Sequence, residues 1–366
     1  MDHTRLEIVR GTCFPTFAFE VAQAVDLDLA ERRLAAGTER QTVKQKRRAP
    51  AHFEYQPRPL RVTRPAATIA VGPAATTPWV ELVLYDFGAV SISYAIPLSG
   101  SLDDQAHLSA ALWGNTELVA EARRHVEAML ATIGDAAARP RIADFVEDYA
   151  IFCVEAFTGC EASRLAVDHG PAIARILRSE ARSLSEQEIA DATGGHLSFS
   201  MDDATFIDMD TALIVDAEGN DVRWVLEYAN TQLLEMRFLD TQLDESLDRT
   251  YEILSRRGRG PGLTAGDLGR LAARQLDGAL LFEQVTNALK LVGEQYLARV
   301  YSLASKRFHL ASWDASISRK LATLDGIYGK FTNRAATRRM EVLEWIIIAL
   351  ILLETLLSLG TPLHGR

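Results

Sequence analysis

The chain has 366 residues, 48% hydrophobic and 24% charged, which excludes a disordered chain and leaves room for two or three domains with a sizeable core. A net charge of −10 argues against nucleic-acid binding by the surface as a whole, and three cysteines, Cys13, Cys153 and Cys160, fit neither a disulfide framework nor a paired zinc motif. The opening MDHTRLEIVRGTCFPTF lacks the basic-then-apolar pattern of a secretory signal, so the body of the chain is expected in the cytoplasm.

In chain order, CFPTFAFEV (13–21) is rich in β-branched and aromatic residues and predicts a strand, followed by a helix over 26–36. Residues 37–59 are charged, Pro-containing and aperiodic, and predict a loop. Within that loop KQKRR (44–48) gathers Lys44, Lys46, Arg47 and Arg48, a run able to meet RNA phosphates or anionic lipid. His52, Phe53 and Tyr55 follow closely enough to stack on bases, although a solvated loop accounts for the run equally well. Strands are expected at 59–64, 79–87 and 89–98, then helices over 101–114 and 115–134. This makes a first α/β unit over 1–140.

A second unit, 141–222, is expected to hold a strand at 146–157, a helix at 170–184 and a hairpin at 203–217. The hairpin residues Ile207-Asp208-Met209-Asp210-Thr211 match Tyr85-Asp86-Phe87-Gly88-Ala89 in apolar–Asp–apolar–turn order, which suggests a duplicated, ferredoxin-like βαββ unit. Asp202, Asp203, Asp208 and Asp210 form the densest acidic group. Asp208 and Asp210, two residues apart on a strand, share a side and are the candidate ligands for a divalent metal. Turn chemistry alone also explains the run.

From Trp224 the pattern turns to long helices, and residues 223–341 predict an antiparallel coiled-coil stalk. Leu226, Ala229, Leu233, Met236, Asp240, Leu243, Leu247, Thr250 and Leu254 recur at alternating spacings of three and four. Asp240 stands in that seam and is expected either to meet a cation or to set register. Glu227, Asn230 and Arg237 flank it as candidate contacts for a partner or for the α/β head itself, with the structural use coming first. A helical break is expected between His309 and Trp313, without Gly or Pro to mark it.

The last helix, 342–359, is nearly all Leu, Ile and Val, about 27 Å long at ~1.5 Å per residue, and predicts a transmembrane span. Lys330, Arg334, Arg338 and Arg339 precede it and Trp345 sits at the expected interface, which keeps the body of a tail-anchored, single-pass protein in the cytoplasm. Glu344, Ile347, Ile351, Glu354 and Ser358 fall on one helical face and predict an oligomer seam.

The segments LEYANTQLLEMRFLD (226–240), LEWIIIALILLE (343–354), ARILRSEARSLSEQEI (174–189) and DDATFIDMDTALIVD (202–216) together resemble the "required for meiotic nuclear division" family. That resemblance implies a bacterial member of a membrane-associated family whose mitochondrial members are linked to organelle translation, with no catalytic residues to carry over.

The fold expected is α+β: a head, a helical coiled coil and a terminal membrane helix. The function expected is a membrane-anchored, oligomerising scaffold that presents the head to a protein or ribonucleoprotein partner. The alternative is a metal-dependent phosphoryl-transfer or hydrolytic enzyme built on Asp208 and Asp210. No cofactor is expected, because no Gly-rich phosphate loop, GxSxG, HExxH or CxxC occurs.

Overall fold

A computed structural model describes residues 6–34, 38–40, 57–256 and 295–360. The chain enters at β1 (Glu7–Glu20), then passes β2 (Ala24–Val25), α1 (Leu27–Arg33), β3 (Thr38–Arg40) and β4 (Leu60–Pro65). The short hairpin β5 (Ala70–Val71) and β6 (Ala74–Ala75) precedes β7 (Trp79–Leu84), β8 (Ala89–Tyr94) and β9 (Ile96–Ser101). Helices α2 (Leu102–Leu112) and α3 (Thr116–Ile133) follow, then β10 (Ala137–Ala138) and β11 (Glu147–Thr158). Helices α4 (Leu165–Asp168), α5 (Gly170–Leu177) and α6 (Glu186–Gly194) lead to β12 (His196–Leu197), β13 (Ala204–Ile207) and β14 (Thr211–Val215). The long helices are α7 (Asn220–Arg256), α8 (Gln295–Arg307) and α9 (Leu310–Gly360).

Ten strands form one mixed sheet, ordered β12-β13-β14-β11-β1-β8-β7-β4-β3, with β9 also paired to β1. The boundary expected at 140/141 does not divide it. The longest ladder is β1 on β11, antiparallel from Gly11 opposite Val154 to Ala18 opposite Glu147. On one side β8 returns antiparallel to β1; on the other, β14 lies parallel to β11. The two Asp-containing hairpins therefore join their long strands in opposite senses, β7–β8 antiparallel to β1 and β13–β14 through a parallel β14 on β11.

Alternation along the strands sends one set of side chains to each face. Phe17, Phe19, Leu60, Leu82, Leu84, Ile92, Phe152 and Leu213 join one core with Leu118, Ala122, Val126, Met129 and Ile133 of α3 and Ile173 and Ile176 of α5. The α3 residues recur at three and four, so its buried stripe follows from the 3.6-residue period. Ser101 opens α2 with a capping box to Asp104, which satisfies two otherwise orphaned N–H groups. Helix α5 ends at Leu177 rather than near 184 because Ser179 takes a positive φ of 49°.

Pro15 lies inside central strand β1, where a missing N–H is normally intolerable. Its neighbour on β11, Ala150, donates away from β1, to the Asp210 carbonyl, so the proline nitrogen faces the opposite edge. On that edge β9 pairs as far as Cys13 and β8 begins at Thr16. Pro15 occupies the gap where one neighbour hands over to the next, so no ladder bond is lost.

Helix α8 stops at Arg307 and α9 starts at Leu310, with His309 between them at φ 54°. The expected break is present, made by a left-handed histidine in place of Gly or Pro.

The chain forms two compact units. Among the described residues the first holds everything up to Phe238 together with 295–314; the second holds the rest of α7 and α9 from Ala315. In the second unit Lys320 Nζ meets Asp240 at 2.7 Å and Asp244 at 2.6 Å, and Ser316 donates to Asp240 at 3.1 Å. Asp240 thus has its cation. These contacts ascend together along both helices, so α7 and α9 run parallel here; an antiparallel partner would fall on 257–294, outside the described residues.

No helix among the described residues is long and apolar enough to cross a membrane, which corrects the expected transmembrane span at 342–359.

Candidate functional site: a buried polar seam under helix α7

Helix α7 covers the face of the sheet opposite the α3 core. Every residue from Val225 to Met236 is buried, including Glu227, Asn230, Thr231, Gln232 and Glu235. A helix enclosed on all sides must find partners for such groups, because an unpaired buried polar atom costs ~1–3 kcal/mol and a charge more.

Glu227 finds them on two strands, β8 and β4. Its Oε1 accepts from Ser91 Oγ at 2.9 Å and Ser93 Oγ at 3.4 Å, and its Oε2 accepts from Arg61 Nη2 at 3.2 Å. Arg61 also pairs with Glu81, which accepts from Arg223 Nη2 at 3.0 Å. Two guanidiniums and two carboxylates close on one another. Aromatic faces cover the cations: Arg223 Cζ lies 4.2 Å from the Phe14 ring centroid and Arg61 Cζ 5.3 Å from that of Trp224. Burial pushes the Glu227 carboxyl up, but Arg61 and Arg223 outweigh it and hold the group below its ordinary value.

Further along α7, Asn230 Nδ2 donates to the Glu147 carbonyl at 3.3 Å, and Arg237 pairs with the Glu147 carboxylate. Burial pushes Glu147 up to about 7, with Arg237 opposing the shift. Glu235 faces Glu20 at the end of β1; the two residues are 1% and 3% exposed. Burial pushes Glu235 up to about 7 and, with the charge of Glu235 added, raises Glu20 well above the carboxylate range. One helical turn away, Gln232 Oε1 accepts from Tyr301 OH at 2.6 Å, which ties α8 to α7.

Glu227 and Asn230 are thus interior residues facing the sheet, and Arg237 is engaged by Glu147. The structure also brings in residues that the sequence reading left aside: Arg61, Glu81, Arg223, Glu20, Ser91 and Ser93. Their signal was a lone charge inside an apolar strand, Arg61 between Leu60 and Val62 and Glu81 between Val80 and Leu82. The basic residues Lys44, Lys46, Arg47 and Arg48 lie outside the described residues.

The acidic group 202–210 is distributed among structural tasks. Asp203 accepts from the Phe199 and Ser200 backbone N–H groups at 2.9 and 2.6 Å, and Asp202 is exposed. Asp208, 2% exposed, meets Arg178 Nε at 3.1 Å and Arg307 Nη1 at 3.8 Å; Asp210 is exposed. Among the described residues no group of three or more His, Cys, Asp or Glu side chains could hold a metal ion. With guanidiniums already against Asp208, millimolar Mg²⁺ or Mn²⁺ is expected to leave the melting temperature of the wild type unchanged. A metal-dependent rise that disappears in Asp208→Asn would overturn this reading.

On α9, Trp345, Ile347 and Ile351 are 71%, 55% and 57% exposed, and Glu344 is exposed as well. The side chains of Glu354 and Ser358 lie outside the described residues.

A family model described as "Uncharacterized protein MJ0711, N-terminal domain" matches residues 10–221, from the first turns of the β1 ladder to the start of α7. The chain is 23% identical over 220 residues to "Uncharacterized protein MJ0711" of Methanocaldococcus jannaschii, an alignment covering 59% of this chain and 67% of that protein. No solved structure matches. These matches overturn the resemblance to the "required for meiotic nuclear division" family, which rested on short segments, whereas the family model spans the whole sheet.

Proposed function

The chain belongs to the family of the uncharacterized MJ0711 N-terminal domain, and from that premise we propose that it is an oligomerising scaffold that presents its α/β head to a protein or ribonucleoprotein partner. The observation that carries this is the exposed apolar segment of α9. Trp345, Ile346, Ile347, Ile348, Leu350, Ile351 and Leu352 are 46–71% exposed, and at 100° per residue they occupy the whole circumference of the helix. An amphipathic helix docks by one face, whereas a helix apolar all round is covered on several sides at once. The same segment in other copies is equally apolar and supplies those sides by symmetry, so the assembly is larger than a dimer. The charge run of residues 44–48 supports an anionic contact for the head.

Sedimentation of the full chain beside an Ile347→Lys/Ile351→Lys variant tests the proposal. The wild type is expected to sediment as a higher oligomer and the variant as a single chain with unchanged circular dichroism. A monomeric wild type, or an assembly untouched by the two lysines, would refute it.

A further inference from the structure

The Glu20–Glu235 pair has no part in the scaffold reading, and its surroundings single it out. The other carboxylates of the seam, buried Glu227 and Glu147 and half-buried Glu81, are each matched by a guanidinium: Glu227 by Arg61, Glu81 by Arg61 and Arg223, Glu147 by Arg237. Glu20 Oε2 and both carboxyl oxygens of Glu235 are out of reach of solvent and make no hydrogen bond within the usual limits. Among the described residues no cation acts on either group, and the charged neighbour each feels is the other.

The elements packed around the pair explain this. On α7 the charges that flank Glu235 are Arg237, Asp240 and, further off, Glu227, and each is engaged elsewhere: Arg237 by Glu147, Asp240 by Lys320, Glu227 by Arg61. Strand β8 sets Ala89 opposite Glu20, and α8 brings the neutral Tyr301 onto Gln232. Nearby, Glu147 of β11 is closed by Arg237.

We propose that Glu20 and Glu235 form a proton-operated clasp: a proton held between the two buried carboxyls seats α7 on the sheet, and its loss releases that part of the helix. Two carboxylates cannot both ionise in contact when water is excluded, so the closed arrangement requires at least one proton. Once the proton leaves, the pair lowers its energy only by parting or by admitting water, and either outcome lifts α7 locally. The sign follows from linkage. Glu235 has its pKa raised to about 7, so the stability it contributes is present in full below the unfolded carboxylate value and declines as pH rises through about 7.

Hydrogen-exchange protection of the α7 amides between Thr231 and Leu239, measured at pH 6 and pH 8.5 on the full chain, tests the clasp. Wild-type protection is expected to fall by about tenfold or more across that interval. In Glu235→Gln the amide donates to the remaining carboxylate and no proton is needed, so the fall shrinks to the part that Glu147 carries. Glu20→Gln makes the same test from the sheet side if the helix variant fails to fold. Glu147→Gln, which removes the other carboxyl with a pKa near 7, is expected to keep the part of the fall that the pair carries. Level protection in the wild type, or a fall undiminished in both Gln variants of the pair, would overturn the proposal.

Discussion

Replacing Glu227 with alanine is expected to cost ~3–5 kcal/mol of stability, read as a lowered urea midpoint with an unchanged slope. The cost does not come mainly from the lost contacts. It comes from Arg61 and Arg223, which are 7% and 6% exposed and would keep their charges while losing one of the two carboxylates that compensate them. Ser91 and Ser93 would also be left without their acceptor. An Arg61→Met/Glu227→Leu double variant removes cation and anion together and is expected to be more stable than Glu227→Ala, since an apolar pair of similar size often equals a buried ion pair. A double variant as unstable as the sum of its single changes would show that packing rather than charge dominates the seam. The same site predicts behaviour in acid. The folded pKa of Glu227 is depressed, so its contribution is present above the unfolded value and is lost as pH falls through the folded one. The seam therefore weakens in acid at Glu227 and toward alkaline pH at Glu235.

Gly88→Ala is expected to cost more than ~4 kcal/mol, enough to abolish folding in a marginally stable domain. Gly88 turns the β7–β8 hairpin at φ 108°, and an added Cβ would stand 1.8 Å from the Ala22 carbonyl oxygen and 2.8 Å from its carbon. Both obstacles are backbone, and neither can step aside, because the Gly88 carbonyl accepts from the Val21 and Ala22 N–H groups at 2.9 and 3.2 Å. Gly114→Ala is the natural control. Its φ is 62° but nothing lies within 4 Å of the added carbon, so only the ~1–2 kcal/mol of left-handed backbone strain is expected. Equal losses in the two variants, compared by thermal melting, would show that conformation and not the close approach governs Gly88.

Much of the head was legible in the sequence because strand alternation and capping are local. Ser101 with Asp104 and the α3 stripe from Leu118 to Ile133 announce themselves within a few turns of chain. The seam under α7 did not, for a physical reason. Glu227, Thr231 and Glu235 recur every four residues, which reads as a solvated stripe unless something covers it, and what covers it depends on strand order and on the return of α8. Arg61 and Glu227 are 166 positions apart, and no local period connects them. The heptad reading of α7 found Leu226, Ala229, Leu233 and Met236 correctly as buried but missed that the intervening residues are buried too. The terminal helix misled in another way, since its hydropathy registers an apolar surface without saying what covers it.

Pro15 has a consequence for assembly as well as for the finished sheet. A period-two ladder can slide, and a slip of one residue would turn the two faces of β1 inside out, setting Thr16, Glu20 and their polar set against the α3 core. Strand β1 resists the slide by being keyed. Only one alignment puts the residue that cannot donate opposite the place where β9 ends and β8 has yet to begin. Any other alignment sets a missing donor against a waiting carbonyl. The proline thus serves as a notch by which the longest strand finds its position between two neighbours, before the helices on either face have anything to grip.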